Sequence, residues 1–209
     1  MYEVYIKRFL DIVFSALGLV FFSWLFLLLA IVIVIDDPGP VIFCQKRVGL
    51  NKKYFVLHKF RTMKMNTPND IPTHLLKNPD QYITNVGRFL RKSSLDEIPQ
   101  IWDIFTGKMS VIGPRPALWN QDDLLAEREK YGANSIKPGL TGWAQINGRD
   151  ELAISMKARL DGVYVEKLHQ GGAKAFLFDC RCFIGTICSV ARGRGVVEGG
   201  TGAIEHKDD

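Results

Sequence analysis

Metal-binding patterns are scarce in this chain of 209 residues. It holds four cysteines, Cys44, Cys180, Cys182 and Cys188, and no second pair with histidines completes a zinc site. Reduced, structural thiols fit better, in a domain that works in the cytoplasm. No zinc-finger, RRM or basic-zipper pattern appears, so the formal charge of +5 is not read as nucleic-acid binding. It suits anionic lipid or nucleotide phosphates instead. There is no internal repeat and no low-complexity region. The length allows one ordinary domain with a real core.

Charge is also missing between residues 12 and 35, "IVFSALGLVFFSWLFLLLAIVIVI". A straight helix of that length would reach roughly 36 Å, against a hydrocarbon core of about 30 Å. The run is long for a signal peptide, and no small-residue cleavage pattern follows. A membrane protein is expected. Lys7 and Arg8 precede the run; Lys46, Arg47, Lys52 and Lys53 follow it. Basic flanks tend to stay on the cytoplasmic side. A single span would send one of them outward. A helix that enters one leaflet, bends and returns would keep both inside, and Ser15, Gly18 and Ser23 give its middle freedom to bend. On charge alone both readings stand.

Residues 36–40, "DDPGP", form a turn that ends this helix. Residues 41–48 and 53–61 read as short strands joined through "VGLNKK", a hairpin. Residues 64–81 read as a surface loop. A helix is expected from near 94 to Gly107. Residues 121–131 and 150–168 look helical and amphipathic, with an ordered loop at 137–149 between them. The uncharged part of residues 173–192 is too short to span, so a helix on the membrane surface or packed on the domain is expected. From 193 the glycine-rich tail is expected to be mobile.

"SSLDEIPQ", residues 93–100, sets Asp96 beside Glu97. One reading is a capping box, with Ser94 as cap and Glu97 reaching back. Pro99 would then remove a backbone bond inside the helix, a problem avoided if the helix starts at Pro99. In either case a helix N-terminus would keep Asp96 ionised. The chemical reading is that an ionised Asp attacks phosphorus while Glu97 holds a divalent metal. "GPRP" fixes Arg115 between two prolines, ready for phosphate. "HKFRTM" puts Lys59 and Arg61 on one strand face, where an edge strand protected by charge is the plainer account. "NGR" sets Arg149 at a turn. Asp161 follows Lys157 by four residues, which a surface ion pair would explain.

These segments together carry a family likeness. "KRFLDI", "DPGPVIFCQKRVG", "HKFRTM", "SSLDEIPQIWDIFTGKMSVIGPRP" and "KPGLTGWAQINGR", in this order, resemble the bacterial sugar transferase family, the monotopic phosphoglycosyl transferases, in its minimal form. The resemblance implies an α+β fold: a re-entrant membrane helix over 1–37, a small, mostly helical catalytic domain with a β-hairpin over 38–195, interfacial helices, and a tail over 196–209. It implies transfer of a sugar 1-phosphate from a UDP-sugar to undecaprenyl phosphate, with release of UMP, on the cytoplasmic face of a bacterial inner membrane. Asp96 would be the nucleophile, and Glu97, with Asp96, would hold Mg²⁺. Lys59 and Asp161 match catalytic positions. Arg61, Arg88, Arg115, Gln145 and Arg149 would bind substrate. Membrane lipids and downstream glycosyltransferases are the implied partners. The family commonly has Ser-Pro at mid-helix; here Ser23 is followed by Trp24, so the bend must come from Ser23, Gly18 or packing. A membrane-anchored scaffold, or a glycosyltransferase that releases UDP, are the alternatives. No residue identifies the sugar.

Overall fold

The apolar N-terminal run folds as two helices at an angle. The computed structural model describes residues 2–67, 79–148 and 152–191. A wide π-type turn, Tyr2–Lys7, leads into α1 (Arg8–Phe21), and α2 (Ser23–Asp36) follows after a bend of 58°. The bend falls at Phe22, whose backbone (φ −91°, ψ 2°) leaves the helical region. Ser23 Oγ donates to the Val20 carbonyl at 2.8 Å, so serine satisfies a carbonyl that the interrupted ladder exposes. No single helix among the described residues is long and apolar enough to cross a membrane; the bent pair is, by length and composition.

The expected hairpin forms. β1 (Ile42–Val48) pairs antiparallel with β2 (Tyr54–Phe60), and the turn between them holds Asn51 and Lys52 at positive φ. A further helix that the sequence did not announce, α3 (Asn85–Ser93), is capped by Thr84, whose hydroxyl accepts from Gly87 N–H. The helix expected from near 94 to Gly107 is shorter: a 3₁₀ turn, Leu95–Glu97, precedes α4 (Gln100–Phe105), which ends just before Gly107 (φ +84°). Next come β3 (Ser110–Ile112), β4 (Ala117–Leu118), α5 (Asp122–Glu129), β5 (Gly139–Thr141), α6 (Trp143–Ile146), α7 (Ile154–His169) and α8 (Gly172–Ala191). The expected loop at 137–149 therefore contains a strand and a short helix. One sheet has the order β2-β1-β4, and β3 and β5 make a parallel pair. The fold is α+β, as the sequence implies. Part of the 64–81 loop and the tail from 192 lie outside the described residues.

Several apolar clusters position the site. Leu29 and Ile33 of α2 pack with Phe60 and Leu90, so the membrane-type helix is docked on the hairpin and α3. Leu57, Ile104 and Met109 join β2 to α4. Ile112, Tyr164, Val165, Leu168 and Cys182 join β3, α7 and α8. α4 lies against α1, where a Cβ on Gly18 would stand 3.4 Å from Ile101. Trp102 and Phe105 of α4 stay exposed beside the exposed apolar face of α1.

Candidate active site

The two adjacent carboxylates lie before a helix, in a tight turn of their own. Ser94 closes α3 in the left-handed region (φ 57°), and Leu95–Glu97 form a 3₁₀ turn. Leu95 and Ile98 pack toward Phe60 and Leu90, which fixes the turn. Ser94 makes no side-chain cap bond, so the capping box does not form. α4 begins after Pro99, where the missing N–H costs nothing. Asp96 and Glu97 are both buried.

Two cations converge on one oxygen of Glu97. Lys59 Nζ, from β2, donates to Oε1 at 3.0 Å, and Arg115 donates to the same atom at 2.7 Å. No described residue donates a hydrogen bond to the Asp96 carboxylate. Burial, and then the charge of Glu97, push the Asp96 pKa up; Lys59, Arg91 and Arg115 oppose this. The expectation that a helix end favours the ionised form of Asp96 does not match this direction: the turn is buried and a like charge is adjacent, and both act against the charged form. Burial also lowers the Lys59 pKa, with Glu97 acting in the opposite sense.

Arg115 reaches the site because two backbones cross without side chains between them. Gly113 N–H donates to Thr141 O at 2.7 Å, and Gly139 N–H to Pro114 O at 2.8 Å. A Cβ on Gly139 would meet Gly113 N at 2.1 Å, and one on Gly142 would meet Gly113 O at 2.1 Å. This crossing is the physical content of "VIGPRP" and "KPGLTGW". It is tied to α1 by Asp11, whose Oδ1 accepts from Val111 N–H (2.9 Å) and Ser110 Oγ (3.1 Å). Asp103 of α4 binds His58 of β2 through the backbone N–H (2.9 Å) and Nδ1 (2.7 Å), holding the strand of Lys59 against the helix after the dyad.

The remaining expected residues are distributed around this centre. Arg61 is buried and grips the carboxylate and carbonyl of Asp37, at the exit of α2. Arg88 lies exposed on α3. Gln145, on α6, reaches Gly113 O through a long 3.5 Å contact, and its buried Oε1 has no hydrogen-bond partner among the described residues. Asp161 is 1% exposed and is held by Arg128 (Nε 2.8 Å), so it is not the surface ion pair that its spacing from Lys157 suggests. Arg149 lies outside the described residues. Sequence reasoning missed Arg91, which faces Asp96 electrostatically, and Arg47, close enough to influence Lys59. Both are in quoted or neighbouring motifs, but nothing in their spacing separates them from ordinary surface arginines.

Two hard-oxygen carboxylates suit Mg²⁺, which usually takes one or two carboxylates and completes its shell with water and substrate phosphates. No group of three or more His, Cys, Asp or Glu able to hold a metal occurs among the described residues. The donor set thus fits an ion that shares its shell with a phosphorylated substrate.

Residues 2–193 match the model of the family described as bacterial sugar transferase. The chain is 42% identical over 145 residues to UDP-glucose:undecaprenyl-phosphate glucose-1-phosphate transferase of Escherichia coli (strain K12), a match covering 68% of this chain and 31% of that protein. It is 39% identical over 162 residues to the uncharacterized sugar transferase EpsL of Bacillus subtilis (strain 168), covering 77% and 78% respectively. With the undecaprenyl-phosphate galactose phosphotransferase of Salmonella typhimurium the identity is 34% over 188 residues, covering 83% of this chain and 39% of that one. The match thus spans less than a third of the Escherichia coli relative's length, yet nearly the whole of this chain answers to one family description. This chain belongs to the bacterial sugar transferase family.

Proposed function

We propose that the chain transfers a sugar 1-phosphate from a UDP-sugar to undecaprenyl phosphate, releasing UMP. One observation carries the reading: two adjacent buried carboxylates, Glu97 clamped by Lys59 and Arg115, and Asp96 beside it with no hydrogen-bond donor among the described residues. The names of the relatives supply the substrate classes. Asp96 attacks the β-phosphorus of the donor; the bond from that phosphorus to the bridging oxygen breaks, and UMP departs with it. The aspartyl phosphosugar is then attacked by an oxygen of the lipid phosphate. The aspartyl–phosphorus bond breaks, and the free carboxylate returns. A carboxylate whose pKa is raised is a stronger nucleophile once ionised, and the cations around it offset the charge of two anionic substrates in turn. Asp96 and Glu97 would hold Mg²⁺ together with the diphosphate, where the ion supplies charge neutralisation.

The apolar surface beside the dyad fits this chemistry. The bent pair inserts as a re-entrant hairpin from the cytoplasmic face of the inner membrane, and the exposed Trp102 and Phe105 lie at its interface. The carboxylates, one turn before α4, then stand at headgroup level, where a soluble nucleotide and a lipid phosphate can both reach them. The product would start a lipid-linked glycan for downstream glycosyltransferases. Incubation with a panel of UDP-sugars, undecaprenyl phosphate and Mg²⁺ tests the reading. UMP release with at least one sugar is expected; UDP release would make the chain a glycosyltransferase of another class.

A further inference from the structure

Three N–H groups of Arg47 join parts of the site that are far apart in sequence. Nε (3.1 Å) and one terminal nitrogen (2.7 Å) donate to Gln45 Oε1, and the other terminal nitrogen donates to the Pro116 carbonyl at 3.0 Å. Arg47 lies on the central strand. It pairs with Phe55 of β2 on one side and Leu118 of β4 on the other. Phe43, paired with Lys59, and Gln45 are on the same face of β1 as Arg47, because residues two apart share a face. On one side of this strand is the lysine that reaches Glu97. On the other is the turn that carries Arg115.

We propose that Arg47 is a positioning residue for the transfer: its guanidinium fixes the Gly113–Pro116 turn to the hairpin so that Arg115 and Lys59 meet at the same Glu97 oxygen. The inference rests on the function proposed above. Arg115 stands between two prolines, so its backbone has little freedom to adjust by itself. A displacement of the Pro116 carbonyl is passed directly to Arg115. A planar fork with several donors in a fixed arrangement holds Gln45 and Pro116 in one geometry, which a lysine ammonium on a flexible stem does not fix. The role of Arg47 is therefore geometric, and keeping its charge alone does not preserve it.

Steady-state UMP release by the full chain, with a UDP-sugar it accepts, separates geometry from charge. Arg47→Lys and Arg47→Ala are both expected to lower kcat about 10- to 100-fold, the scale of a small misplacement of catalytic groups, with donor KM little changed. Gln45→Leu removes one acceptor and leaves the guanidinium in place; it is expected to lower kcat in the same direction at an unchanged Tm. Near-parental kcat for Arg47→Lys overturns the proposal, because charge alone then suffices. A rise in KM at constant kcat also overturns it, since Arg47 would then bind substrate directly. If Arg47→Ala does not fold, Gln45→Leu decides, and an undiminished kcat there counts against positioning. A parent chain that releases no UMP overturns the function itself, whereas an active parent with indifferent Arg47 and Gln45 variants overturns only this role.

Discussion

At the scale of single residues, Asp96 occupies a place where a carboxylate is costly. Burial and the adjacent Glu97 both raise its pKa. An acid with a raised folded-state pKa favours folding at low pH and loses that contribution as pH rises through the folded value. The ionised form therefore destabilises the resting protein at neutral pH. In metal-free buffer at pH 7.5, Asp96→Asn is expected to raise Tm by a few degrees, on a scale of about 2–4 °C per kcal/mol for a chain of this size, while abolishing UMP release. The gain should shrink as pH falls through the ordinary carboxylate range, about 4, below which both states are protonated. An equal or lower Tm at pH 7.5 would show that the site does not strain this group. The dyad itself was legible in the sequence, because two adjacent acids before "IPQ" and an arginine between prolines carry chemistry in their residue types. The direction in which the Asp96 pKa moves was not: it depends on burial, and Ser94 in the left-handed region sets the turn apart from α4 in a way no spacing reveals.

At the scale of elements, the N-terminal pair is fastened to the domain by buried polar contacts. Asp179 of α8 accepts from Tyr2 and Lys7 through one oxygen and from Tyr164 through the other, each at 2.8 Å. Asp179→Ala would leave a buried ammonium unpaired, a loss of about 3–5 kcal/mol. Thermal unfolding in detergent should show this as a large fall in Tm; an unchanged Tm would mean that the helices stay docked through apolar contacts alone. The hairpin was legible because β-branched and aromatic runs flank "GLNKK". α3 was not, since its short polar stretch is set by tertiary contact: a Cβ on Gly87 would meet Thr62 O at 2.1 Å. The site of the bend was read from Ser23, although the residue whose backbone departs from the helix is Phe22.

At the scale of the whole molecule, the exposed faces of α1 and α2 and the aromatics of α4 belong to one reading, in which the chain dips into a single leaflet and returns. In a variant freed of its four native cysteines, a cysteine placed before residue 7 should be labelled only from the cytoplasmic side of intact membranes. Labelling from the periplasm would replace re-entry with a span and leave the chemistry of the dyad untouched. The most direct measurement is intact-protein mass spectrometry of an active preparation mixed with its UDP-sugar and no lipid acceptor. The account predicts a gain of one phosphosugar on Asp96, removed when undecaprenyl phosphate is added. Turnover with no such adduct, or an adduct on another side chain, would contradict it.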